Sequence, residues 1–126
     1  MKLVDTSSWV HALRRKGSAD VRRRVQVLLE SGEAAWCPMV RLELWNGVGS
    51  SHDREALEAL GKALPELPMT QDVWKEAYAL ADQCRVSGYT APVQDVLIAA
   101  CARVHGVDLE HEDKHYDWLM KIQGLQ

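Results

Sequence analysis

Four acids in this chain, Asp5, Glu43, Asp95 and Asp113, stand out by position rather than by number. Asp5 ends the short apolar run Lys2-Leu3-Val4. Glu43 lies between Leu42 and Leu44, Asp95 sits among Val93, Val96, Leu97 and Ile98, and Asp113 follows the run Val107-Asp108-Leu109. Glu43 and Asp95 are thus each at the edge of an apolar stretch, where an ionised group requires cations or hydrogen-bond donors. Taken singly, each reads as a surface acid or a helix cap, because Asp near a helix start is what capping favours. Gathered in one cleft, the four would repel one another, and a hard divalent cation resolves that conflict. An all-oxygen set selects Mg²⁺ or Mn²⁺ over zinc. The chemistry on offer is metal-assisted hydrolysis, with the cation activating water and neutralising developing charge.

Such a gathering needs elements that end on one rim. Lys2 to Val4 reads as a buried strand and Asp5-Thr6-Ser7-Ser8 as a helix start. A helix is expected from Ser7 to Lys16, stopped by Gly17, and a second is capped by Ser18 or Asp20, with Val21, Val25, Leu28 and Leu29 at helical spacing. Ala34 to Cys37 is a second strand, followed by a helix from Pro38 to Asn46. Ser50 to Asp53 is a polar loop, and Ala56, Leu57, Leu60 and Leu64 predict a helix from Arg54 that Pro65 ends. A weak strand at Leu67 to Met69 precedes a helix capped by Thr70, with Val73, Trp74, Ala77, Leu80, Ala81 and Cys84 on its buried stripe; these two helices are expected to form a hairpin. Val93 to His105 is apolar almost all round and therefore central. Val107 to Leu109 is a third strand, and Lys114 to Ile122 a last helix. Strands alternating with helices predict an α/β fold of three layers, α/β/α, with a short parallel sheet flanked by helices. Acids at the carboxyl ends of such strands share a rim.

Size and composition agree with one domain over residues 1–126. The chain is 47% hydrophobic and 26% charged, the profile of a packed globular protein. No long apolar run is present, and none precedes Asp5, so no membrane association and a cytoplasmic location are expected. Cys37, Cys84 and Cys101 are odd in number and lack close pairing, which predicts buried free thiols. The net charge of −3 is uneven: Arg14, Arg15, Lys16, Arg22, Arg23 and Arg24, against Asp20 alone, give +5 over eleven residues. This patch is a candidate contact for phosphates; its plain reading is the solvated faces of two helices.

Rival chemistries find less support. His111-Glu112-x-x-His115 has the spelling of a zinc hydrolase motif, but it begins in a strand-to-helix connection and has no suitable third ligand. Ser7 and Ser8 lack a nucleophile context, and no phosphate loop exists. Thr6 and Ser7 read as hydroxyls that cap the first helix or orient Asp5 and metal-bound water.

Four segments together resemble the PIN domain nucleases, and within them the VapC toxins of bacterial toxin–antitoxin pairs. They are Leu3-Val4-Asp5-Thr6-Ser7, Cys37-Pro38-Met39-Val40-Arg41-Leu42-Glu43-Leu44 with Gly47, Asp95-Val96-Leu97-Ile98-Ala99-Ala100 with Ala102, and His111-Glu112-Asp113-Lys114-His115-Tyr116. The last is similar to the family's Thr-x-Asp-x-His-Phe, with His111 where the family has Thr or Ser and Tyr116 where it has Phe. The tail after Ile122 is short for the family's final strand. The resemblance implies a PIN-like fold and a Mg²⁺- or Mn²⁺-dependent endoribonuclease with Asp5, Glu43, Asp95 and Asp113 as metal-binding, catalytic residues. It also implies an RNA substrate, a cognate antitoxin that blocks the cleft, and a homodimer. The competing expectation is a non-catalytic module of the same fold that binds RNA or protein.

Overall fold

A computed structural model describes residues 1–14 and 16–123. Its sheet has three strands, β1 (Lys2–Val4), β2 (Ala34–Ala35) and β3 (Asp108–Glu110), in the order β2-β1-β3 and all parallel. Successive strand residues face opposite sides of a sheet. Leu3 and Val4 are both fully buried, as are Ala34 and Ala35 within 2%, so the sheet is covered on both faces. Only short apolar runs fit such a slot, which explains why β1 and β2 read as continuous rather than alternating patterns, whereas β3 is Asp108-Leu109-Glu110 with Asp108 exposed.

Seven helices surround it: α1 (Thr6–Leu13), α2 (Ala19–Glu30), α3 (Pro38–Asn46), α4 (Ser51–Ala63), α5 (Gln71–Ser87), α6 (Val93–His105) and α7 (His115–Leu119). Ser18 and Thr70 cap α2 and α5 through their side chains, and Pro38 opens α3. In α6, Val96 and the run Ile98 to Ala102 are all buried, because the helix contacts α3, α5, α7 and β3. Gly106, at φ 67°, ends it in the left-handed conformation that a glycine adopts without strain.

Several expectations shift. The first helix stops at Leu13 rather than Lys16, since the chain is already extended at Arg14. Ser50 to Asp53 is the start of α4, not a loop: Ser50 Oγ accepts the amide of Asp53, a cap that begins the helix three residues early. The fourth strand reduces to one bridge, Trp36 with Glu66, ahead of the expected Leu67 to Met69. β3 lies one residue later than expected, and α7 is shorter at both ends. Trp74 is 42% exposed, off the stripe of Val73, Ala77, Leu80 and Cys84. α5 packs chiefly on α6 and α4 on α3, so α4 and α5 do not form the expected hairpin. All three cysteines are free and buried. Among the described residues, no helix is long and apolar enough to cross a membrane.

Candidate active site

The parallel register decides which residues meet. Val4 pairs with Glu110, and the Asp5 amide donates to the Glu110 carbonyl at 2.9 Å. Chain leaving β1 and chain leaving β3 therefore emerge side by side, which brings Asp5 beside the segment that carries Asp113.

Asp5 is 4% exposed and is itself the N-cap of α1. Its Oδ2 accepts the Ser7 amide at 3.0 Å and the Ser7 hydroxyl at 2.6 Å. The cap is thus the acid, and of the hydroxyls that follow Ser7 serves it. Ser7 Oγ in turn accepts the Glu112 amide at 3.0 Å, tying the segment after β3 to the first helix. Thr6 reaches the other way, donating to Glu43 Oε1 at 2.9 Å. Burial raises the Glu43 carboxyl above its ordinary value; the Thr6 hydrogen bond opposes this and the charge of Asp5 adds to it.

Asp95 lies in the first turn of α6, where the helix dipole favours an acid, yet it is 8% exposed. Burial first, then the adjoining Asp113 carboxyl and the charges of Asp113 and Asp5, push its carboxyl up to about 7. Burial also raises Asp113, but the adjoining Asp95 carboxyl and the hydrogen bonds from the amide and ring of His115 prevail and hold it below the ordinary value. The opposite shifts describe two neighbouring carboxyls, of which the more buried Asp95 is the one that gives up its charge first. Asp95 Oδ2 is a buried oxygen with no hydrogen-bond partner.

Tyr116 joins the acids from below. Fully buried, its hydroxyl lies 2.7 Å from Asp5 Oδ1 and 3.3 Å from Asp95 Oδ1. Burial and the surrounding carboxylates raise its pKa, so it remains a donor. His115 completes the rim, with Nδ1 2.7 Å from Asp113 Oδ1 and 3.4 Å from Asp95 Oδ2. Neither residue stands out from sequence as part of the site. Tyr116 reads there as packing, although a hydroxyl where the family has Phe is an available signal; His115 reads as an ordinary supporting or surface histidine.

The donor set fits a divalent cation. Asp95, Asp113 and His115 offer one ligand atom each within 4.8 Å of one another, and Asp95 Oδ2 is a buried carboxylate oxygen that no donor among the described residues satisfies. Asp5 adjoins this group through Tyr116, and Glu43 through Thr6 and Asp5. The zinc-hydrolase arrangement does not form: α7 begins only at His115, so His111 precedes the helix and does not share a helical face with it. The His111 ring instead accepts the Asp113 amide through Nδ1 at 3.2 Å.

The cationic segment divides. Arg24 is held by acids: its guanidinium donates to Asp20, to Glu110 at 3.2 Å and to Glu112. Glu110, 8% exposed and also bound by Ser8 Oγ, is a buried acid that sequence reasoning did not single out. Arg22 donates to the carbonyls of Arg14 and Gly17. These two arginines therefore build the structure around the site rather than standing free. Arg14, Lys16 and Arg23 are exposed, and Arg15 lies outside the described residues. Arg14 shares with Thr6, Glu43 and His52 a cleft of about 140 Å³ between α1, α3 and α4.

The PIN domain family model matches residues 2–119. Ribonuclease VapC11 of Mycobacterium tuberculosis is 33% identical over 129 residues, covering 100% of this chain and 96% of that one. Among solved structures, DNA-bound VapBC from Salmonella typhimurium has a TM-score of 0.78 at 15% identity, covering 100% of this chain and 96% of that one. A toxin-antitoxin complex from Klebsiella pneumoniae has a TM-score of 0.72 at 17% identity, covering 90% and 88%. The two structures share the fold of a short parallel sheet flanked by helices, and the match over residues 2–119 together with the full-length relative places the chain in the PIN domain family, beside the VapC ribonucleases.

Proposed function

We propose that this chain is a metal-dependent endoribonuclease of the VapC type, acting as one PIN domain and held in check by a cognate antitoxin. The observation that carries this reading is the unpartnered Asp95 Oδ2 within a rim of acids drawn from four separate segments. A fold that spends buried volume on mutually repelling carboxylates keeps them for a cation. Asp5, Asp95 and Asp113 would hold Mg²⁺ or Mn²⁺, with Glu43 contributing directly or through water. Bound there, the cation supplies alignment and acidification of a water for in-line attack on the phosphodiester, and charge neutralisation on the phosphate oxygens.

The chain's own residues prepare that step. Ser7 fixes one oxygen of Asp5 and Tyr116 the other, so the carboxylate has no rotational freedom. Thr6 fixes Glu43 on the opposite wall, and Arg14 in the adjoining cleft is placed to guide the RNA backbone. Lys16 and Arg23 extend the same role across the exposed surface, outside the acidic rim. The antitoxin reading is supported by the fold shared with a solved toxin-antitoxin complex, and the RNA substrate by the full-length ribonuclease relative. A homodimer accompanies this assignment.

Induced expression in bacteria tests the reading. Growth should arrest with the wild-type chain, resume with Asp5→Asn, Glu43→Gln or Asp95→Asn, and resume when the neighbouring antitoxin gene is co-expressed. Arrest that survives all three substitutions would favour a binding module instead. Mass measurement of the purified chain should give a dimer; a strict monomer would remove that part of the proposal.

A further inference from the structure

We infer that His115 is a direct nitrogen ligand of the cation, so that the centre is a carboxylate–imidazole site that prefers Mn²⁺ to Mg²⁺. This rests on the metal-dependent reading above and goes beyond its carboxylate set. His115 Nδ1 lies 2.7 Å from Asp113 Oδ1 and 3.4 Å from Asp95 Oδ2. Two donors at right angles around an ion held at about 2.1 Å are about 3.0 Å apart. The two distances bracket that value, so the nitrogen already stands from each oxygen at the separation of neighbouring ligands on one octahedral ion, and the three residues offer ligand atoms within 4.8 Å of one another.

The hydrogen bonding leaves the same gap. Nδ1 carries at most one proton, and the shorter contact directs it to Asp113. Asp95 Oδ2 then faces a nitrogen with nothing left to donate, and it is this buried oxygen that has no partner. A cation between the three atoms satisfies both oxygens and the nitrogen lone pair together, once the ring takes the neutral tautomer with its proton on Nε2.

The ring is also held in place for this role. Tyr89 meets it edge to face, with centroids 6.2 Å apart, and Tyr89 is stacked on Trp118 at 4.3 Å and 9°. The His115 amide is anchored on Asp113 Oδ1 at 3.0 Å. Nitrogen donation favours transition-metal dications over Mg²⁺, whereas an all-carboxylate site does not make that distinction as strongly.

Pulsed electron paramagnetic resonance of bound Mn²⁺ reads the inference directly, without any measurement of catalysis. The wild-type chain should bind Mn²⁺ with a nitrogen hyperfine coupling that changes on ¹⁵N-histidine labelling. His115→Gln should still bind Mn²⁺ but lose the coupling, and its preference for Mn²⁺ over Mg²⁺ in competition titrations should fall about tenfold. The spectrum of the labelled wild-type chain decides between nitrogen and all-oxygen ligation even if His115→Gln fails to fold. Mn²⁺ bound with no nitrogen coupling, or with coupling that survives in His115→Gln, would overturn His115 ligation while leaving the nuclease reading intact. A wild-type chain that binds no Mn²⁺ at all would overturn both.

Discussion

The Tyr116 hydroxyl donates to Asp5 Oδ1 at 2.7 Å across 111 positions of sequence, and the same hydroxyl lies 3.3 Å from Asp95. A single buried donor thus serves two acids from different elements, and its one proton satisfies them only in turn. Tyr116→Phe leaves Asp5 Oδ1 without that donor. The metal-free variant should lose about 1–3 kcal/mol of stability, the range for removing the partner of a buried polar group. Saturating Mn²⁺ should shrink the deficit, because the cation takes over part of the charge. Urea unfolding with and without Mn²⁺ checks this, and a deficit unaffected by the metal would contradict it.

Arg24 and Arg23 are neighbours in the same cationic run, but they should behave oppositely. Arg24→Ala strips Glu110 and Glu112 of their guanidinium and loosens the segment before Asp113. Because Arg24 is 40% exposed and Ser8 still serves Glu110, the expected loss is about 1–2 kcal/mol, below that of a fully buried pair. Arg23→Ala should stay within about 0.5 kcal/mol of wild type. Its effect should appear instead as weaker RNA binding with a shallower salt dependence. Thermal unfolding beside RNA titrations at several salt concentrations separates the two.

Asp95 gives the metal-free protein a pH signature. Its folded carboxyl is raised to about 7, whereas the unfolded group titrates near about 3.9. Between those values the folded chain retains a proton that the unfolded chain has lost. Stability is therefore favoured at the acid end of that window and falls as pH rises through about 7. Asp113, lowered by its partners, acts with the opposite sign, but at the acid edge of the window, below the ordinary carboxylate value. Urea midpoints of the metal-free chain should decline from pH 5 to about pH 7 and level off above it, and Asp95→Asn should flatten the decline.

The same proton makes cation binding pH-dependent. Mn²⁺ must displace it, so affinity should weaken as pH falls below about 7, with proton release detectable by calorimetry in buffers of different ionisation enthalpy. An affinity that is constant from pH 6 to pH 8 would contradict the assigned proton.

Much of this architecture is legible in residue types. Apolar runs of two or three residues predict strands buried on both faces, and the cap Thr70 places the start of α5 to the residue, while Ser18, one of two candidates with Asp20, is the cap of α2. Glu43 and Asp95 are recognisable because each interrupts an apolar stretch, Asp5 because it ends one, and parallel strands bring Asp5 and Asp113 to one rim. What local pattern does not carry is side-chain reach. Arg24 reads as one of six surface cations until α2 is docked against the end of β3, where two acids claim it. Tyr116 reads as packing until its ring is seen to aim a hydroxyl between two carboxylates. Trp74 has the right helical spacing for the core and still faces outward, since α5 buries the narrower stripe that meets α6.

The central claim is a cation held by these acids for phosphodiester hydrolysis, and cleavage of RNA by the purified chain under controlled metal tests it most directly. Cleavage is expected with Mn²⁺ or Mg²⁺, with its arrest by EDTA, its return when Mn²⁺ is added back, and its loss in Asp5→Asn and Asp95→Asn variants whose folding is intact. Cleavage that persists in EDTA, or that proceeds in Asp5→Asn at the wild-type rate, would contradict it.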